Sequence, residues 1–339
     1  MESQKLITAV PDTILDGSRF VRACLRRPVD RTPVWFLRQA GRYMQEYRDV
    51  RKHHTLVEIC KQPDIAAEVT ITAAEKLGVD AAIIFADLLL PLEPMGLPFE
   101  FMAGEGPVVH HPVRTAEDVL ALRTDRADEL GYVARAIQKV ATHFRDRLGI
   151  IGFCGAPFTL ASYMIEGGGS RNYIHTKQMM YRDTLSWRLL LDKLVTVLEQ
   201  YCRLQVLAGA DVIQIFDSWV GALSLTDYRE YAFEASKRLV RSVQAMGVPV
   251  IYFGVRLPGS SPRWLPPAPT SSASTGGSRS TRAGAPSATA TPFRATSTQL
   301  PCLLRSMSSS AASMKSCVLP TAAPATSSTS VTASCRQRR

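Results

Sequence analysis

The sequence predicts an α/β protein built on a parallel sheet, and three observations carry that expectation. Short apolar runs fit for buried strands recur along the first three quarters of the chain. Long stretches with helical spacing separate them. The pattern stops abruptly at Arg256, where the composition changes. Strands joined by long helices imply right-handed βαβ crossovers. Five strands of this kind suit either a doubly wound sheet or an unfinished (β/α)8 barrel.

The elements follow in order. Strands are expected at Val34–Leu37, Ala81–Phe85, Gly149–Phe153, Val212–Phe216 and Val248–Phe253. Helices are expected at Asp64–Leu77, where small and apolar residues keep helical spacing, then at Ala116–Leu122 and Glu129–Phe144. Leu189–Leu207 is long and amphipathic, and Leu225–Met246 is a further helix.

Composition narrows the class. Hydrophobic residues make up 46% and charged residues 21%, as in soluble globular proteins. Met1-Glu2-Ser3-Gln4-Lys5 has no apolar run behind it, and no stretch reaches the ~18 apolar residues of a membrane span. A cytoplasmic location without a membrane partner is expected. The net charge of +10 invites a nucleic-acid partner, but residues 1–255 hold 30 Lys+Arg and 30 Asp+Glu. The excess sits in residues 256–339, so a fold-wide basic face is not expected. The seven cysteines (24, 60, 154, 202, 302, 317 and 335) form no CxxC pair, so free thiols and no zinc site are expected. The neighbours His53-His54 and His110-His111 point apart on a strand or helix and make poor paired ligands.

Residues 256–339 are rich in Ser, Thr, Ala, Pro and Arg, with no acid, His, Tyr, Asn or Ile. Such composition describes a disordered tail. The genetic code offers a sharper account, in which each true codon takes the last base of one tail codon and the first two of the next. Pro267–Thr281 can then be re-read as GADVVGVDWRVPLD, Thr291–Gln299 as AIQGNLDP, and Pro324–Arg336 as GHIFNLGHGILP. All three use one phase, keep their order and open on an apolar run fit for a strand. Five strands plus three make eight. A one-base slip near Val255–Arg256 is expected, with residues 1–255 a partial barrel and 256–339 an out-of-frame tail.

Two regions carry chemistry on their own terms. Pro33–Arg42, PVWFLRQAGR, runs from a strand into Arg38, Gln39, Ala40, Gly41 and Arg42. Two guanidiniums four residues apart face one way if the turn is helical, and each offers a planar fork to a carboxylate. A surface ion pair is the plainer account of such spacing. Asp87 follows the apolar run Ala81–Ala86, which puts a carboxylate at the C-terminal end of a strand. The plainer account is a loop acid or helix cap. Gly167-Gly168-Gly169-Ser170 lacks the lysine of a phosphate loop and is expected to be a flexible substrate loop.

PVWFLRQAGRYMQEYR and GFCGAPFTLASYMIEGGGS (Gly152–Ser170) resemble the two signatures of the uroporphyrinogen decarboxylase family. The re-read VVGVDWR, QGNLDP and HIFNLGHG resemble its C-terminal strands. The resemblance implies a (β/α)8 TIM barrel, here with about five of eight strands in frame. It also implies a homodimer once the frame is restored, no cofactor and no metal. The implied activity is removal of CO2 from the four acetates of uroporphyrinogen III to give coproporphyrinogen III. Asp87 would accept hydrogen bonds from the pyrrole N–H groups. Arg38 and Arg42 would hold carboxylates, and one would help deliver a proton. Gln39, Ala40 and Gly41 complete the substrate-binding signature, and Tyr163 and Ser218 would hydrogen-bond the substrate. The family's C-terminal active-site histidine survives only in the re-read segment.

Two alternatives remain. A zinc-dependent corrinoid or thiol methyltransferase of the same fold would need a His/Cys ligand set, and the chain shows no HxC pair. A non-enzymatic truncated product would act through its basic tail. With three strands missing, the barrel is expected to stay open at two edges and the chain to be insoluble or inactive.

Overall fold

A computed structural model describes residues 17–102, 106–255 and 316–318. The expectations for 256–315 and 319–339, including every re-read segment, lie outside the described residues.

All five expected strands form. They are β1 (Val34–Phe36), β2 (Ala81–Ile83), β5 (Gly149–Gly155), β6 (Val212–Asp217) and β7 (Val250–Gly254), while β3 (Phe99–Met102) and β4 (Gly106–Val109) make an antiparallel pair between them. Strands β2, β5, β6 and β7 form one parallel sheet in that order. Strand β1 lies beside β2, where the Asp80 N–H donates to the Val34 carbonyl at 2.7 Å. Each strand therefore follows its predecessor without reversal. A doubly wound sheet reverses direction at its switch point, so the stepwise order identifies the barrel.

The helices cover the outer face. They are α1 (Arg19–Cys24), α2 (Gln45–His53), α3 (Leu56–Lys61), α4 (Pro63–Leu77), α5 (Ala116–Ala121), α6 (Gly131–Phe144), α7 (Pro157–Glu166), α8 (Ile174–Arg182), α9 (Thr184–Leu207), α10 (Leu225–Asp227) and α11 (Phe233–Ala245). Their ends follow local chemistry. Thr55 with Glu58, and Thr115 with Asp118, close capping boxes at α3 and α5. Pro63 opens α4 and left-handed Gly78 ends it. The expected helix over 225–246 is interrupted by a π-turn at Tyr228–Ala232 between α10 and α11. Helix α9 buries Trp187, Leu190, Leu194, Leu198 and Tyr201. Its one deeply buried amide, Gln205, clamps β5. It accepts the Phe153 N–H at 2.8 Å and donates to the Phe153 carbonyl at 2.9 Å. That contact requires the glycine at 152, since a Cβ there would lie 2.6 Å from Gln205 Oε1.

The N-terminal ends of the strands are tied by a buried carboxylate. Asp80 accepts from Arg19 at 2.5 Å, Arg31 at 3.0 Å and the Val34 N–H at 2.8 Å. It joins α1, β1 and β2 below the sheet.

The edges differ from expectation at one side. Strand β1 is not open: Ser316–Val318 (β8) pairs with it antiparallel, with Trp35 opposite Cys317. An edge presents a row of unused N–H and C=O groups, and any extended segment can satisfy them. At the other side β7 is only partly covered along most of its length, whereas β5 and β6 are buried throughout.

Candidate active site

In a parallel barrel the C-terminal strand ends share one face, and loops there hold reactive groups over a packed floor. Arg38 follows β1, Asp87 follows β2, Tyr163 lies on α7 after β5, and Ser218 follows β6. All four stand on that face.

The segment after β1 is an irregular turn, not a helix, so helical spacing does not align the two arginines. Local hydrogen bonds shape it instead. The Tyr43 hydroxyl donates to the Gln39 carbonyl. Arg48 Nη1 donates to the Arg42 carbonyl at 2.7 Å. Arg38 and Arg42 remain exposed, and both guanidiniums weakly oppose the rise that burial gives the Tyr47 hydroxyl. Among the described residues neither forms an ion pair, so the plainer account of a surface salt bridge does not apply. Two exposed cations on this face, without an ion-pair partner among the described residues, suit a polyanionic ligand.

Gln39 does something else. It is buried, donates to the Ala81 carbonyl at 2.6 Å and accepts the Ile83 N–H at 3.3 Å. Its amide is consumed in holding the Arg38–Arg42 turn to β2. Ala40 packs beside Met44, Tyr47 and Val69. A Cβ at Gly41 would press on the Tyr43 ring at 3.1 Å. These three residues shape the turn that presents the arginines.

Asp87 Oδ1 accepts the Leu89 N–H at 2.9 Å. This is the loop-acid geometry, yet it uses one oxygen only. Among the described residues Oδ2 has no hydrogen-bond partner. Burial pushes the carboxyl above its ordinary range, while the Leu89 amide and the Arg38 charge oppose the rise. The side chain is reached by solvent but walled by protein, as befits a group at the bottom of a cup. Tyr163 is pushed up to about 12, first by burial and then by Asp87 and Tyr173, with Arg38 opposing. Its hydroxyl therefore stays protonated at neutral pH. Arg38, Asp87 and Tyr163 thus share one electrostatic environment. Ser218 precedes Trp219, whose ring centroid lies 3.7 Å from that of Tyr163.

The glycine run is not an open flap at its start. Gly167 has φ 85° and would meet Pro112 Cγ at 2.8 Å with a Cβ, and Gly168 would meet the Pro107 carbonyl at the same distance. The Val109 N–H donates to the Gly167 carbonyl at 2.8 Å. These glycines let α7 end tightly against the β3–β4 hairpin, which corrects the expectation of a flexible loop. Among the described residues no three His, Cys, Asp or Glu side chains gather in a metal-sized cluster.

One group escaped sequence reasoning. Asp217 ends β6 fully buried, accepting from Thr159 at 2.8 Å and from Tyr252 at 2.6 Å. Burial pushes its carboxyl up to about 6 against the pull of both hydroxyls. The signal was present: VIQIFD, like AAIIFAD, is an apolar run closed by an acid.

The family model described as uroporphyrinogen decarboxylase (URO-D) matches residues 16–265. The chain is 66% identical over 239 residues to a uroporphyrinogen decarboxylase of Koribacter versatilis (strain Ellin345), a match covering 70% of this chain and 68% of that one. It is 56% identical over 242 residues to one from Solibacter usitatus (strain Ellin6076), covering 71% and 70%. Among solved structures, a methyltransferase from Methanosarcina mazei superposes with a TM-score of 0.58 at 23% identity, over 70% of this chain and 68% of that one. That likeness speaks for the fold alone. With two signatures, a stepwise parallel barrel and this identity in hand, the chain belongs to the uroporphyrinogen decarboxylase family.

Proposed function

We propose that residues 1–255 form the first five βα units of an enzyme that decarboxylates uroporphyrinogen III to coproporphyrinogen III. Residues 256–339 are the rest of the same gene read one base out of phase. The observation that carries the first part is the meeting of Asp87, Arg38 and Tyr163 on the C-terminal face, in a chain 66% identical to a named decarboxylase. The coverages support the second. Close to a third of this chain and of its relative lies outside their match, and the segments that a shifted phase restores as strand-like fall in that unmatched part of this chain.

The chemistry follows from the site. A pyrrole acetate loses CO2 only after the ring is protonated. The C–C bond to the carboxylate then breaks and its electron pair moves into the cationic ring, leaving a neutral exocyclic methylene. A second proton turns the methylene into a methyl, and loss of the first proton from the ring restores the neutral aromatic pyrrole, so one proton is consumed for each CO2 released. The unused Oδ2 of Asp87 accepts pyrrole N–H bonds and faces the cation. A preorganised group of this kind contributes about 3–4 kcal/mol, by analogy with one oxyanion donor. Arg38 and Arg42 hold side-chain carboxylates. An arginine is a poor acid at its ordinary pKa, so positioning is their main work. Tyr163 donates a hydrogen bond, and Ser218 binds at the same rim. Gln39, Ala40 and Gly41 serve by shaping the turn.

Among the described residues no helix is long and apolar enough to cross a membrane. The proposal includes a cytoplasmic enzyme without nucleic-acid or membrane partners, dimeric once the frame is restored, and without a cofactor. The test restores the frame by a one-base change near codons 255–256. Asp87→Asn in that protein should then lower kcat by about 10²–10³-fold. Full activity in that variant would remove Asp87 from the mechanism.

A further inference from the structure

Asp217 lies outside the set that the signatures mark, yet it sits at the junction of every element forming one wall of the cup. It is completely buried at the end of β6. Its Oδ1 accepts from Thr159 in the first turn of α7, the helix that carries Tyr163, and its Oδ2 accepts from Tyr252 on β7. The Tyr252 oxygen also lies 3.2 Å from Ser236 Oγ on α11, whose hydroxyl can donate to it. Thr159 Oγ1 in turn accepts the Trp219 N–H at 3.3 Å. The Trp219 ring packs on Tyr163 at 3.7 Å and on Tyr173 at 5.2 Å. Ser218 lies between Asp217 and Trp219 in the chain.

We infer that Asp217 is a positioning residue: through Thr159 and the Trp219 amide it fixes Ser218, Trp219 and Tyr163 as one substrate-facing wall. The inference rests on the decarboxylase reading for its ligand and stands alone for its geometry. A buried carboxylate is retained at a cost of desolvation. Two hydroxyl donors on two different elements explain why it is held there and what it holds. The acid aligns Thr159 so that its lone pair faces the Trp219 N–H. Without it, the hydroxyl can rotate and the turn after β6 loses its anchor.

The test uses Thr159→Val, Thr159→Ser and Asp217→Asn in the full chain, with the frame-restored protein, which carries the same residues, in parallel. The Trp219 contribution to the near-ultraviolet circular dichroism is read by difference against a Trp219→Phe background. Thr159→Ser keeps the hydroxyl and should keep the signal, whereas Thr159→Val and Asp217→Asn should lose most of it with unchanged far-ultraviolet spectra. Binding of uroporphyrin III, the stable oxidised form of the substrate, should weaken about tenfold in Thr159→Val and less than twofold in Thr159→Ser. An unchanged Trp219 signal in both Thr159→Val and Asp217→Asn would overturn the inference. Absence of uroporphyrin binding by the unmodified proteins would count against the decarboxylase reading, leaving the spectroscopic arm to decide the position of the wall.

Discussion

Asp87 and Asp217 each close an apolar strand with a carboxylate, and their surroundings give them different work. Among the described residues Asp87 keeps one oxygen without a hydrogen-bond partner and feels the Arg38 charge, whereas both oxygens of Asp217 are occupied by hydroxyls. The second can be tested through pH. Its folded pKa, about 6, exceeds the ordinary 3.8. The native state therefore holds the proton more tightly, and this group's contribution to stability declines as pH rises from 3.8 through 6. The shift corresponds to about 3 kcal/mol. Denaturant melts of the chain and of Asp217→Asn at pH 4 and pH 8 should differ in pH slope by roughly that amount; equal slopes would refute the raised pKa. For the arginines, Arg38→Lys keeps the charge but loses the fork. In the frame-restored enzyme it should raise KM about tenfold, roughly 1.4 kcal/mol, measured by steady-state kinetics. Asp87 and the arginines were legible because a strand end, a charge and a signature coincide there. Asp217 was not, because Ser218 beside it drew the functional assignment and only the fold reveals the two donors. Gln39 was legible as part of the signature but not in its role, since sequence does not show that Ala81 and Ile83 present a free carbonyl and amide to it.

At the scale of elements, the five strands were readable as apolar runs: β5 and β6 are buried throughout, and β1, β2 and β7 keep apolar sequences although they are only partly covered. The β3–β4 hairpin was not readable. Its strands, Phe99–Met102 and Gly106–Val109, are short and largely uncovered, so they carry little of the burial signal that marks a strand. Nor was the π-turn, where local composition resembles ordinary helix. The sheet is anchored below by Asp80. Removing that carboxylate takes the Asp80 partner from Arg31 and the Val34 N–H and leaves Arg19 paired with Asp30 alone. Asp80→Ala should destabilise the fold by about 2–3 kcal/mol in chemical denaturation, less than a fully buried pair because both guanidiniums reach solvent. Gly152→Ala should cost about 1–3 kcal/mol by overpacking against Gln205 and Ile213, and native-like stability would show that α9 shifts freely.

For the whole molecule, a closed barrel has no edges, and among the described residues that closure is not made. Five strands proceed in order and β7 stays half-covered where a sixth would lie. Strand β8 pairs β1 antiparallel over three residues, a substitute for a neighbour that a completed barrel would supply in parallel. The re-read tail restores three apolar runs, acids and histidines in one phase, and the family's active-site histidine is among them. On the proposed reading, fold and site are incomplete for one shared reason. The most direct measurement is coproporphyrinogen formation from uroporphyrinogen III by the chain as it stands and by the chain with its frame restored near codons 255–256. Turnover by the restored chain, with none detectable from the present one, is the predicted result. Equal turnover by both would contradict the account.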